Sequence, residues 1–131
     1  MRILLACLLF AHGIAFGQTF ACQYVASAGL VWDKGQWELT RLAPGRPFFL
    51  TVDGVNLTPE TVAKALETLP QNVQCERTFG TFTCRNGLAR FLFFNPKESN
   101  GGVAEIRGAA LPPSSRWNHP LKVEPFTCQQ M

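Results

Sequence analysis

The sequence predicts an α+β domain that is mainly β: a curled antiparallel sheet of about six to eight short strands, one helix near residues 59–69 and two disulfides. Three observations predict it. Short alternating segments are bounded by turn residues, one run carries helical spacing behind a helix-start signature, and four cysteines follow an export-type leader.

Residues 1–17 have the form of a signal peptide. Arg2 supplies a positive start, residues 3–11 an apolar run, and Ala15-Phe16-Gly17 the small-x-small step before Gln18. A cut after Ala21 would leave Cys22 first, as a lipid anchor requires. Thr19-Phe20-Ala21 lacks the leucine expected there, so soluble export is preferred. A retained span needs about 20 apolar residues, and this run stops at His12-Gly13. The expected setting is periplasmic or secreted, with no stable membrane insertion after leader removal and one domain over residues 18–131. About 114 residues bury roughly two-thirds of the unfolded chain's surface, enough for a single core.

In an oxidising compartment Cys22, Cys75, Cys84 and Cys128 read as a disulfide framework. Three pairings are open. Cys75 and Cys84 flank a segment short enough to close locally, which leaves Cys22 to join Cys128, and these are the preferred pairs. In the chain-entropy model the short loop contributes about 3 kcal/mol and the long one about 5 kcal/mol. Zinc spacing is missing: there is no CxxC, and His119 is the one histidine after the leader. No metal or cofactor is expected.

The first hairpin is signalled by residues 29–42, which alternate around Lys34-Gly35. A two-residue loop sets Trp32 opposite Trp37 and Leu30 opposite Leu39, all on one face; a bulge would shift this by one. A proline-rich connection at residues 43–47 leads to a strand with Phe48, Leu50 and Val52 on one side. The helix follows, with Thr58 as N-cap, Pro59 in the first turn and Leu57 stapled onto Val62. Val62, Ala65, Leu66 and Leu69 form its apolar stripe, and Pro70 stops it.

Asn86-Gly87 signals a second hairpin, with Phe82 facing Phe91 and Cys84 facing Ala89. Residues 88–94 are apolar on both faces except at Arg90, as in a buried central strand. Residues 95–102 read as a polar loop, 103–111 and 121–127 as strands, and 112–120 as a loop carrying Trp117 and His119. Pro125 places the last strand at an edge or ends it in a bulge. Glu105 with Arg107, and Lys122 with Glu124, alternate on their strands and are expected to form a charge ladder on the solvent side.

Gly29-Leu30-Val31-Trp32 with Gly35 and Trp37, Pro47-Phe48-Phe49-Leu50, Phe93-Phe94-Asn95-Pro96-Lys97 and Pro125-Phe126-Thr127-Cys128 together resemble a group of small exported bacterial proteins of unknown function. The resemblance covers most of the chain after the leader. It implies a bacterial envelope or extracellular setting and brings no activity or ligand with it.

The chain has 12 basic and 9 acidic side chains; apart from Arg2 in the leader, the basic ones are spread from Lys34 to Lys122 without a cluster. No nucleic-acid partner is expected. Trp32 and Trp37 read as a core pair or as a platform for a sugar ring. Trp117, beside Arg116 and His119, reads as a lid over the core or as a contact residue on an exposed loop. His119 is the first candidate general base, but Ser114 and Ser115 are the nearest hydroxyls and no GxSxG elbow exists. Asp53 and Glu124 are the acids available for glycoside chemistry, and read more simply as a turn residue and a surface residue. No catalytic residue is assigned. The reading is a non-catalytic binding or inhibitor-like module for a protein or glycan partner, with Trp117, Arg116, His119, Trp32 and Trp37 as its candidate binding residues. A small hydrolase acting on cell-wall or host polymers and a structural envelope protein are the alternatives.

Overall fold

Alternation decides which side chains each strand turns inward. In the computed structural model, which describes residues 17–131, the chain forms β1 (Gln18–Tyr24), β2 (Ala28–Asp33), β3 (Gln36–Arg41), β4 (Phe48–Asp53), β5 (Asn56–Leu57), α1 (Pro59–Ala65), β6 (Gln74–Thr78), β7 (Thr81–Arg85), β8 (Arg90–Asn95), β9 (Asn100–Glu105) and β10 (Leu121–Gln130). The leader assigned to residues 1–17 lies outside the described residues except for Gly17. The strands form one antiparallel sheet in the order β5-β4-β1-β10-β9-β8-β7-β6, with the β2–β3 hairpin branching from β10. The sheet curls until its two ends, β5 and β6, touch. Its concave face holds Phe20, Leu50, Phe82, Leu92, Phe94, Val103 and Phe126, with Val62 of α1 and Leu66 at its C-terminal cap against them. Phe20 meets Phe94, and Phe48 meets Phe126, edge to face with ring centres 5.0 Å apart, the arrangement that aromatic quadrupoles favour.

Both disulfides form as paired above, each bridging directly opposed residues of neighbouring strands: Cys22 with Cys128 between β1 and β10, Cys75 with Cys84 between β6 and β7. Two bridges in a domain of this size are those of a protein suited to an oxidising environment. The first hairpin also forms in the expected register, with Trp32 opposite Trp37 and Leu30 opposite Leu39. Lys34 and Gly35 both adopt positive φ, 50° and 78°, as the two-residue turn matching strand twist requires. Leu39 nevertheless stays exposed, because this hairpin projects beyond the core.

Elsewhere the structure differs from the sequence reading. The second hairpin pairs Phe82 with Phe94 and Cys84 with Leu92, not with Phe91 and Ala89. Asn86 is the reason. Its side chain is buried, accepts the N–H groups of Leu88 and Arg90 and donates to the Leu66 carbonyl, so it organises a four-residue loop instead of a tight turn. A further hairpin, β6–β7, turns at Phe79-Gly80, both at positive φ. Helix α1 ends at Ala65: Glu67 adopts φ 52°, and the Thr68 N–H closes on the Ala63 carbonyl, leaving Leu69 exposed. Thr58 makes no side-chain cap; the Thr61 hydroxyl bonds its carbonyl at 2.9 Å instead. The strand expected over 103–111 stops at Glu105 and gives way to the 3₁₀ turn Arg107–Ala110, and the loop expected over 95–102 tightens into the turn between β8 and β9.

The last strand is central rather than peripheral. One side of β10 pairs β9, and the other pairs β2 through Leu121, Lys122 and Val123 before changing to β1 at Phe126. Pro125 stands at the changeover, where its carbonyl takes the Val25 N–H at 3.0 Å. Its missing donor faces the gap between two partners, which lets a proline sit mid-sheet.

Candidate functional site

The charged residues expected on the solvent side line the inside of the sheet instead. Lys122 and Glu124 are in phase with Phe126 and Cys128, so β10 turns all four to the concave face. By the same parity β8 brings in Arg90 with Leu92 and Phe94, and β9 brings in Glu105 with Val103. Arg107 lies beyond β9, exposed in its 3₁₀ turn. Arg90, Lys122 and Glu124 line a cleft of about 490 Å³ at one end of the curled sheet, within the range of small-molecule sites, and Glu105 adjoins it through its ion pairs to Arg90 and Lys122. The connection from β3 to β4, with Gly45, Arg46 and Pro47, forms one rim. Thr61, Lys64 and Glu67, in and just after α1, form the other.

Ion pairs tie the floor together. Arg90 Nη1 donates to Glu105 at 3.0 Å and to Glu67 at 3.4 Å, while Lys122 Nζ lies 3.4 Å from Glu124 and 3.9 Å from Glu105. Glu124, read from the sequence as a surface residue, is 2 % exposed; its Oε2 accepts the Gly45 N–H at 3.0 Å. Arg90 is 8 % exposed, and its buried Nε has no partner. A group so placed normally finds one. Tyr24 forms a wall beside Glu124. Burial pushes its hydroxyl up to about 12, with the Glu124 carboxylate adding to the shift and Arg90 opposing it. Gly45 lies close enough to Tyr24 that a Cβ there would come within 2.8 Å of the ring.

A second cluster gathers most of the residues singled out in the sequence. Trp32 and Trp37 stack edge to face with centres 5.2 Å apart, and the Arg116 guanidinium lies 4.5 Å from the first ring and 5.6 Å from the second. Arg116 Nε donates to the Leu111 carbonyl at 2.9 Å. Both tryptophans are half-buried, so they and Arg116 clamp the Pro113–Asn118 turn onto the β2–β3 hairpin. Trp117, next in the chain, is 72 % exposed. His119 is half-buried and closes the turn through its backbone N–H on the Arg116 carbonyl. Asp53 stands exposed where β4 turns into β5.

Among the described residues no three His, Cys, Asp or Glu side chains are grouped as metal ligands, and no helix is long and apolar enough to cross a membrane. No protein-family model, curated protein or solved structure matches the chain, and the two clusters rest on their geometry.

Proposed function

We propose that this chain is an exported, non-catalytic binding domain, periplasmic or secreted, that meets a protein or glycan partner through its aromatic lobe with Trp117 at the point of contact. The observation that carries the reading is a large aromatic ring held 72 % exposed on a turn anchored from beneath by Arg116. An ordered turn presents such a ring with little conformational entropy left to lose on contact, as recognition aromatics do. The leader-like residues 1–17, the two bridges and the resemblance to small exported bacterial proteins support the location. The hydrolase alternative gains no comparable support. Glu124 is engaged by Lys122 and Gly45, and Asp53 belongs to an exposed turn.

The test is affinity capture from a bacterial envelope extract with the oxidised protein as bait, beside Trp117→Ala. Capture lost in the variant while its Tm stays unchanged supports the reading. Equal capture by both proteins overturns it.

A further inference from the structure

We propose that the cleft between β8, β10, α1 and the β3–β4 connection is a binding site for a small organic monoanion, a carboxylate on an apolar body. This site is separate from the Trp117 lobe and does not depend on it. Three observations lead there. First, Arg90 is more than nine-tenths buried in the cleft wall, both of its carboxylate contacts use Nη1, and its Nε is unpartnered. A guanidinium is built to take a carboxylate on two nitrogens at once. Second, one of its present counterions is loosely held: the Glu67 side chain is 72 % exposed at 3.4 Å, against 21 % and 3.0 Å for Glu105. An incoming anion can replace Glu67 at Nη1 while the Arg90–Glu105 pair stays in place.

Third, the charges and walls define the ligand. Four cations, Arg46, Lys64, Arg90 and Lys122, face the cleft, against the carboxylates of Glu67, Glu124 and the adjoining Glu105. The excess is one positive charge, which a single negative charge balances. Tyr24, Pro47, Phe48 and Phe49 give the cleft an apolar side against which a ring or short alkyl chain packs.

The probe is naphthoate, titrated into the oxidised protein and followed by calorimetry and by the NMR signals of the Gly45 amide and the Arg90 Nε–H. Its isosteres naphthylmethanol and naphthylmethylamine carry no charge and a positive charge, and naphthyl phosphate carries two negative charges. Saturable naphthoate binding that moves both signals is expected, with the three isosteres weaker. Glu67→Gln, an exposed and conservative change, frees Arg90 Nη1 and is expected to tighten naphthoate about fivefold, while Lys64→Glu on the rim weakens it about tenfold. A merely structural ion-pair network would leave affinity indifferent to Glu67→Gln. The proposal is overturned by absence of saturable binding up to about 10 mM naphthoate. Equal binding of naphthylmethanol, tighter binding of the phosphate, or unchanged affinity in Glu67→Gln would each overturn it as well.

Discussion

Glu124 accepts the Gly45 N–H at 3.0 Å, joining the central strand of the sheet to a rim connection 79 positions earlier in the chain. The bond fixes one lip of the cleft over a carboxylate that would otherwise be buried with Lys122 alone. Glu124→Gln keeps an acceptor for Gly45 but removes the charge beside Lys122, and is expected to lower stability by about 2 kcal/mol. Glu124→Ala removes both and is expected to cost about 3–4 kcal/mol. Urea unfolding of the two variants checks the order; equal losses would mean that the hydrogen bond contributes nothing beyond the charge.

Tyr24 is the only tyrosine in the chain, so tyrosinate absorbance reports it alone. Its ionisation in the folded protein is expected near pH 12, against about 10 in the unfolded chain. The folded state holds this proton more tightly. Its contribution to stability is therefore complete below pH 10 and is lost as pH rises from 10 to 12, at about 1.4 kcal/mol per pH unit. Tyr24→Phe should flatten this part of the stability profile, and a folded-state titration midpoint at 10 would remove the basis for it.

The two disulfides differ in access. Cys75 is exposed on β6, whereas Cys22 is 2 % and Cys128 9 % exposed. Mild reductant with alkylation is expected to open the bridge at the exposed Cys75 and label that thiol first, while the fully buried Cys84 and the Cys22–Cys128 pair are labelled only once the domain unfolds. Loss of the first bridge should lower stability by about 3 kcal/mol and loss of the second by about 5 kcal/mol, following the lengths of the loops they close. Peptide mapping of partly reduced protein shows the order directly.

Arg116 and Trp117 are neighbours with different duties. Arg116→Ala breaks the stack on Trp32 and Trp37 and the bond to Leu111, and should lower stability by about 1–2 kcal/mol. Trp117→Ala should stay within about 0.5 kcal/mol of the parent, as at other exposed positions. Thermal unfolding of the pair separates the roles, and a large loss at Trp117 would return it to the core.

Much of this architecture is legible where local chemistry leaves one choice. Lys34-Gly35 sits between alternating segments of matched phase, so the Trp32–Trp37 register follows. The spacing of Cys75 and Cys84 likewise points to a local bridge. Asn86-Gly87 forms no tight turn because Asn86 accepts the N–H groups of Leu88 and Arg90 within its own loop and donates to the Leu66 carbonyl, a partner 20 positions away that only folding brings near. The cleft was within reach. Cys128 is bridged to Cys22 and must face inward, and Lys122 and Glu124 share its parity, so strand alternation alone puts them inside. What the sequence could not supply is the pairing of β9 with both β8 and β10, which brings Glu105 to Arg90 on one side and to Lys122 on the other.

The central position of β10 sets the timing of assembly. It is the last of the described strands to emerge, yet β1, β2 and β9 all pair with it, and the bridge across β1 and β10 spans 106 positions. A vectorially emerging chain cannot close this sheet until residue 130 is free, because the row from β4 to β8 has no middle before then. Such long-range pairing is slow to form. Until that segment arrives only local hairpins such as β2–β3 and β6–β7 can close, so compaction of the whole sheet waits for β10.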